Sequence, residues 1–200
     1  MDENHPIQVN ALSRFIKPEW HFADIGVAEG EITDMLSPLM SKGYLFEPEP
    51  NSFRWLEQKY ASSEKLVLNN CAVYSKEGVA RFTMNGQWVS GLTGHLQNGY
   101  DSGNSIDVKT ITLDNYFKDK KINLIKIDVE GAELEVLKGA TELMKSQSPI
   151  FQVEFHSHEE WSEKNLKFIE DLGYFIYDIN FNKVNYKNRP YQAILVKGEL

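Results

Sequence analysis

Lys126-Ile127-Asp128-Val129-Glu130-Gly131-Ala132-Glu133-Leu134-Glu135-Val136-Leu137 decides the fold of this chain. A hydrophobic run from Ile122 to Ile127, with Asn123 and Lys126 inside it, ends in two carboxylates and a glycine. Leu134, Leu137 and Ala140 then recur at three-residue steps, the spacing of one helix face. Strand, acidic tip and helix in that order is how an open parallel α/β sheet presents ligand groups at the carboxyl ends of its strands.

The same alternation runs outward in both directions. Residues 7–16 read as a lead-in helix within a 1–19 leader, stopped before Pro18. Strands are expected at 20–25, 44–47 and 66–68, and helices at 31–40 and from Pro48 or Pro50 to about Tyr60. After the central motif, a helix near 132–145, a strand at 150–155 and a helix over about 159–171 follow. Gly173 closes that last helix. Segments 174–179 and 193–196 are joined by a stretch too short for a crossover helix, so they should pair antiparallel. In the middle, 79–84 and 106–112 alternate at period two and read as an antiparallel pair. Between them, residues 85–105 carry five glycines and read as a substrate loop. The expected fold is a single α/β domain over 1–200: a doubly wound, mostly parallel seven-stranded sheet with helices on both faces, an antiparallel last strand, and an extra β-hairpin or flap near 79–112.

Composition narrows the function. A net charge of −8 offers no basic face for phosphates, so a nucleic-acid partner is disfavoured. Cys71 is the only cysteine, which excludes an intramolecular disulfide and a cysteine metal cluster. No apolar run approaches the roughly 18 residues of a membrane span. The start, Met1-Asp2-Glu3-Asn4-His5-Pro6, lacks the basic and apolar regions of a signal peptide. The expected location is cytoplasmic, and a homodimer is left open.

Chemistry-bearing residues gather at strand ends. Asp24-Ile25-Gly26-Val27-Ala28-Glu29-Gly30 is a strand followed by a glycine turn that lets backbone approach a ligand closely. It is neither the G-x-G-x-x-G of dinucleotide binders nor a G-K-S/T phosphate loop. Glu47, with Pro48 after it, sits about twenty residues on, where an acid can accept both hydroxyls of a ribose. Asn70, Cys71 and Ala72 offer small groups beside which an adenine ring can lie. Asp128, Glu154 and His156 lie at adjacent expected tips, with Glu154 and His156 two apart on one strand face. The histidine can take a proton near neutral pH. The same trio also suits a divalent cation; that is the lesser reading, and no metal is assigned. Glu130 either takes part in the chemistry or braces the Gly131 turn.

Taken together, Asp24-Ile25-Gly26…Gly30, Phe46-Glu47-Pro48, Ile111-Thr112-Leu113-Asp114, Ile125 to Glu133, Leu137-Lys138-Gly139-Ala140 and Glu154-Phe155-His156 resemble the FkbM type of S-adenosylmethionine-dependent methyltransferase. The resemblance runs in family order from about residue 20 to 156, and its most specific stretch is Lys126–Glu133. It implies S-adenosylmethionine as cofactor. Asp24, Gly26 and Gly30 would shape the methionine-side pocket, Glu47 and Pro48 the ribose end, and Cys71 and Ala72 the adenine. Asp128 would stand near the transferring methyl, while His156 and Glu154 would face the acceptor as the catalytic groups. The implied acceptor is a small molecule or a sugar or glycolipid hydroxyl. The chain departs from the family pattern at Val27-Ala28, where an Ala-Asn pair is usual. Two other classes fit the strand–glycine–helix opening: a non-catalytic cofactor-binding or partner module, and a nicotinamide-dependent oxidoreductase. Against the second stands the missing glycine two after Gly26, where this chain has Ala28.

Overall fold

The computed structural model describes residues 4–85, 88–89, 105–156, 160–184 and 190–199. The chain runs α1 (Asn4–Leu12), β1 (His21–Ile25), α2 (Glu31–Leu36), β2 (Lys42–Phe46), α3 (Pro50–Lys59) and β3 (Leu66–Asn69). It continues through β4 (Ala72–Val73), β5 (Gly78–Asn85), β6 (Trp88–Val89), β7 (Ser105–Ile111) and α4 (Leu113–Tyr116). The last part is β8 (Leu124–Ile127), α5 (Glu133–Lys138), α6 (Thr141–Ser146), β9 (Ile150–Glu154), α7 (Glu163–Asp171), β10 (Tyr174–Tyr177) and β11 (Gln192–Lys197).

Seven strands form one sheet in the order β10-β11-β9-β8-β1-β2-β3. Neighbours are parallel from β9 through β3. Only β11 runs against its neighbours, β9 and β10. A smaller sheet, β4-β7-β5-β6, holds the expected antiparallel pair as β5 and β7. The seven-stranded doubly wound sandwich and its antiparallel final strand are as the sequence predicts.

Burial on both sides explains the near-continuous hydrophobic strands, which parallel sheets covered by helices require. Phe22, Leu45, Leu124 and Ile194 pack under α1, α2 and α3 through Leu12, Leu36 and Leu56. Their neighbours Ala23, Phe46, Ile125 and Phe151 face Leu113, Val136, Leu143 and Ile169 of the other helical layer. Strand order reverses between the parallel neighbours β1 and β8, since β2 and β3 lie on one side and β9 on the other. That is a topological switch point, where open α/β sheets leave a crevice.

Local boundaries depart from the sequence reading at four helices, of which α7 begins at Glu163 instead of near 159. The lead-in helix begins at Asn4 and stops at Leu12. The helix expected to reach Met40 ends at Leu36 and passes into a 3₁₀ turn, Ser37–Leu39, with Pro38 in its first turn. The single helix expected over 132–145 is two, α5 and α6, divided at Gly139-Ala140. Gly139 packs directly on the backbone carbonyl of Tyr74, leaving no room for a side chain. The expected substrate loop falls almost wholly outside the described residues; within it, β6 pairs back on Met84 and Asn85.

Candidate active site

The strand ends are held flush by hydrogen bonds running past the regular ladder. Gly26 N donates to Phe46 O at 3.0 Å, Asp128 N to Ile25 O at 3.0 Å, and Glu47 N to Asn69 O at 3.1 Å. Asn70 ties two tips through its side-chain amide, which donates to Glu47 O at 2.8 Å and Pro48 O at 3.3 Å. The groups named in the sequence therefore project from one edge.

At the β1 end, Gly26 and Gly30 both take left-handed backbone, with φ of 79° and 78°. A β-carbon on Gly26 would overlap the carbonyl oxygen of Asp128, and one on Gly30 would overlap the Tyr60 hydroxyl. Each glycine is thus required by packing as well as by conformation. The C-terminal end of α3 clamps the loop from outside. Lys59 Nζ donates to Glu29 O at 2.7 Å, and Tyr60 Oη lies 2.9 Å from Gly30 O. Ala28 and Glu29 form the exposed crest.

Glu47 reaches under that crest. One carboxylate oxygen accepts from Ala28 N at 3.0 Å, the other from Glu49 N at 2.8 Å. Burial pushes its pKa up to about 7, against the pull of those two N–H groups. Cys71 and Ala72 are both buried, and burial raises the Cys71 thiol to about 11. That thiol is an inert packing group.

Behind the edge, parallel register sets Asp24 beside Lys126 and Lys126 beside Gln152. Lys126 Nζ lies 3.2 Å from Asp24 Oδ1 and 3.4 Å from Asp128 Oδ2, and donates to Gly26 O at 2.8 Å. Asp24 also accepts from the Thr33 hydroxyl at 2.7 Å. Burial would strip the lysine of its proton. The neighbouring Asp24 and Asp128 charges outweigh it and hold the pKa above the ordinary value. One buried cation therefore fastens the glycine loop, the β1 acid and the β8 acid together. The sequence names Lys126 inside the strand but gives it no role, because a lysine there reads as a solvent-facing break. Only the register reveals its partner.

At the β8 and β9 ends, His156 stands among carboxylates. Its Nδ1 lies 2.8 Å from Glu133 Oε1. Its Nε2 lies 3.5 Å from Glu130 Oε2, 3.7 Å from Asp128 Oδ1 and 3.7 Å from Glu154 Oε1. Tyr191 meets the ring edge-on, with centroids 5.2 Å apart. Burial works against the charged imidazole. The hydrogen bond and charge of Glu133, followed by the charges of Glu130 and Asp128, overcome it and raise the pKa to about 9. A ring so placed carries its proton at neutral pH.

Glu133, to which the sequence reading gave no role, anchors this histidine. It is fully buried at the start of α5. It also accepts from Gly131 N at 3.0 Å and Val129 N at 3.3 Å, so it, not Glu130, braces the turn. Burial would raise its pKa, but hydrogen bonds from His156 and Glu160 bring it below the usual range. An acid in a helix first turn looks like a dipole partner; the available signal was its three-residue spacing from Glu130. Glu130 itself holds φ at 57° and is about half exposed.

The fold is the Rossmann-like sheet of solved methyltransferase structures. A solved methyltransferase FkbM from Methylobacillus flagellatus KT superimposes with a TM-score of 0.61 at 16% identity, covering 89% of this chain and 43% of that one. A Streptococcus mutans protein described as a methyltransferase, in complex with SAH, gives a TM-score of 0.56 at 12% identity over 98% and 99% of the two chains. More specifically, residues 24–176 match the Methyltransferase FkbM domain, and the chain belongs to that family. Among curated proteins, the hexuronic acid methyltransferase AglP of Haloferax volcanii is 29% identical over 118 residues, 57% of this chain and 47% of that protein. The chain thus spans about half the length of that relative. Among the described residues, no helix is long and apolar enough to cross a membrane.

Proposed function

We propose that the protein transfers a methyl group from S-adenosylmethionine to a hydroxyl of a sugar, a glycolipid or a related small molecule. The observation that carries this reading is the packing of Gly26 on the Asp128 carbonyl. It brings the glycine loop and the acidic β8 tip together at the switch point of a sheet belonging to a methyltransferase family. The chain's own groups fit the cofactor. Gly26 and Gly30 keep the loop bare, and Glu47 lies under its crest for the ribose end. Gln8 Oε1 and both amide atoms of Gln152 are buried and have no hydrogen-bond partner among the described residues, so polar capacity is left unused there. The acidic rim of Asp128, Glu130 and Glu154 suits a sulfonium cation.

When bound, the cofactor supplies an electrophilic methyl, and transfer is an in-line displacement in which alignment does most of the work. Asp128 and Lys126 fix the loop beside the methyl position. His156, anchored on Glu133, orients the acceptor side together with Glu154. The AglP likeness favours a carbohydrate acceptor. Calorimetry should show binding of S-adenosylmethionine and not of NAD, and labelled methyl should pass to a sugar from a panel of uronic and neutral glycosides. His156→Ala should abolish turnover with cofactor affinity near wild type. A protein that binds no S-adenosylmethionine, or a His156→Ala variant of normal turnover, overturns the assignment.

A further inference from the structure

We propose that Asp128, Glu130 and Nε2 of His156 form a binding site for a divalent cation with mixed oxygen and nitrogen preference, such as Mn²⁺. One ligand atom from each lies within 4.8 Å of the others. The spacing carries the argument. Nε2 stands 3.5 Å from Glu130 Oε2 and 3.7 Å from Asp128 Oδ1, both too long for a good hydrogen bond. Two ligands bound to one ion at about 2.1 Å each are roughly 3.0–4.2 Å apart, from a cis to a trans pair. These separations therefore match groups that share an ion better than groups that bond one another.

The imidazole is oriented as a ligand, and the incoming ion displaces the proton that Nε2 otherwise carries. Nδ1 is committed to the buried Glu133 carboxylate at 2.8 Å, which leaves Nε2 aimed at the acids. A carboxylate behind a histidine in this way fixes tautomer and ring plane in metal sites. Glu160 backs Glu133 in turn, its Oε1 accepting from Leu134 N at 2.9 Å. A second observation flanks the cluster. Gln8 is 1% exposed, and its Nε2 lies 3.2 Å from Glu154 Oε2. Its Oε1 has no hydrogen-bond partner among the described residues. A buried acceptor is thus left beside Glu154 for a metal-bound water or a ligand hydroxyl. Glu154 Oε1, 3.7 Å from Nε2, can serve as a further ligand.

Asp128 and His156 are partly covered while Glu130 is about half exposed, so the ion's free positions face solvent. What fills them rests on the methyltransferase reading: an acceptor oxygen, and most usefully one on an anionic sugar, which the bare carboxylates would repel.

The test uses the full chain, stripped with chelator and free of S-adenosylmethionine, so that its failure and that of the methyltransferase reading are separable. Mn²⁺ is titrated in and followed by the loss of the free-ion electron paramagnetic resonance signal. One ion should bind per chain, and Mg²⁺ should compete for it. Glu130→Gln, a half-exposed and structurally mild change, and His156→Gln should each weaken binding by at least about tenfold. Glu133→Gln, which touches no ion, should weaken it about 10–100-fold through the histidine. No uptake at millimolar Mn²⁺, or uptake unchanged in Glu130→Gln and His156→Gln, overturns the proposal.

Discussion

Gly26 and Asp128 touch backbone to backbone across the β1–β8 boundary, so closely that any side chain at position 26 would overlap the Asp128 carbonyl. The contact is the hinge of the whole edge. Gly26 O accepts from Lys126, and Gly26 N donates to β2. A Gly26→Ala variant must therefore both leave left-handed backbone and push the β8 tip away. The expected loss is at least about 3 kcal/mol of stability, with cofactor binding lost under conditions where the variant remains folded. Denaturant unfolding and calorimetry read the two effects. A variant that binds S-adenosylmethionine at wild-type strength would show that the packing is dispensable.

Lys126 and Asp24 are both almost fully buried, so removing one strands the other. Lys126→Met should cost about 3–5 kcal/mol, because Asp24 keeps a charge with no cation beside it. The double variant Asp24→Asn, Lys126→Met should recover a substantial part of that loss. Urea denaturation of the wild type, the two single variants and the double variant measures the coupling. A double variant no more stable than Lys126→Met alone would mean the lysine serves the glycine loop only.

Glu47 gives stability a specific pH dependence. Its folded-state pKa, about 7, lies above the ordinary carboxylate value of 4.5. The folded chain thus holds a proton that the unfolded chain releases between these values. Stability from this group is fully present below about pH 4.5, falls through the interval, and is lost above pH 7; the whole change is about 3 kcal/mol. Glu47→Gln carries no such charge. Relative to wild type it should melt progressively higher as pH rises from 5 to 8, while binding S-adenosylmethionine less well. A melting-temperature difference that stays flat across this range would show that Glu47 is ionised without penalty.

Much of the fold was legible because its signals are local. The antiparallel β10–β11 pair followed from a joint too short for a helix, and the β5–β7 pair from period-two alternation. What escaped depends on contacts between segments distant in sequence. The break between α5 and α6 falls where Gly139 meets Tyr74, more than sixty positions upstream, and a lone glycine inside a helical pattern does not by itself fix a stop. Within the site, Asp24, Glu47, Asp128, Glu154 and His156 could be read because acids and a histidine at strand ends stand out against hydrophobic runs. Lys126 and Glu133 could not. Each looks like an ordinary solvated charge until register and burial supply its partner.

Asp114 separates fold from chemistry within the resemblance itself. It belongs to the Ile111-Thr112-Leu113-Asp114 stretch, yet it lies among structural contacts. Its Oδ1 accepts from Leu143 N at 2.7 Å, satisfying a first-turn N–H of α6, and its own N donates to Gly139 O at 2.9 Å. The acid thus supplies from outside the cap that Ala140 cannot provide. Losing such a bond costs about 0.5–2 kcal/mol. Asp114→Ala should therefore lower the melting temperature by a few degrees and leave S-adenosylmethionine affinity, Mn²⁺ uptake and turnover at wild-type values. The contrast with His156→Ala is diagnostic: one variant loses stability and keeps chemistry, the other the reverse. A large drop in turnover for Asp114→Ala at a temperature where it stays folded would place α4 and α6 in the machinery instead of beneath it.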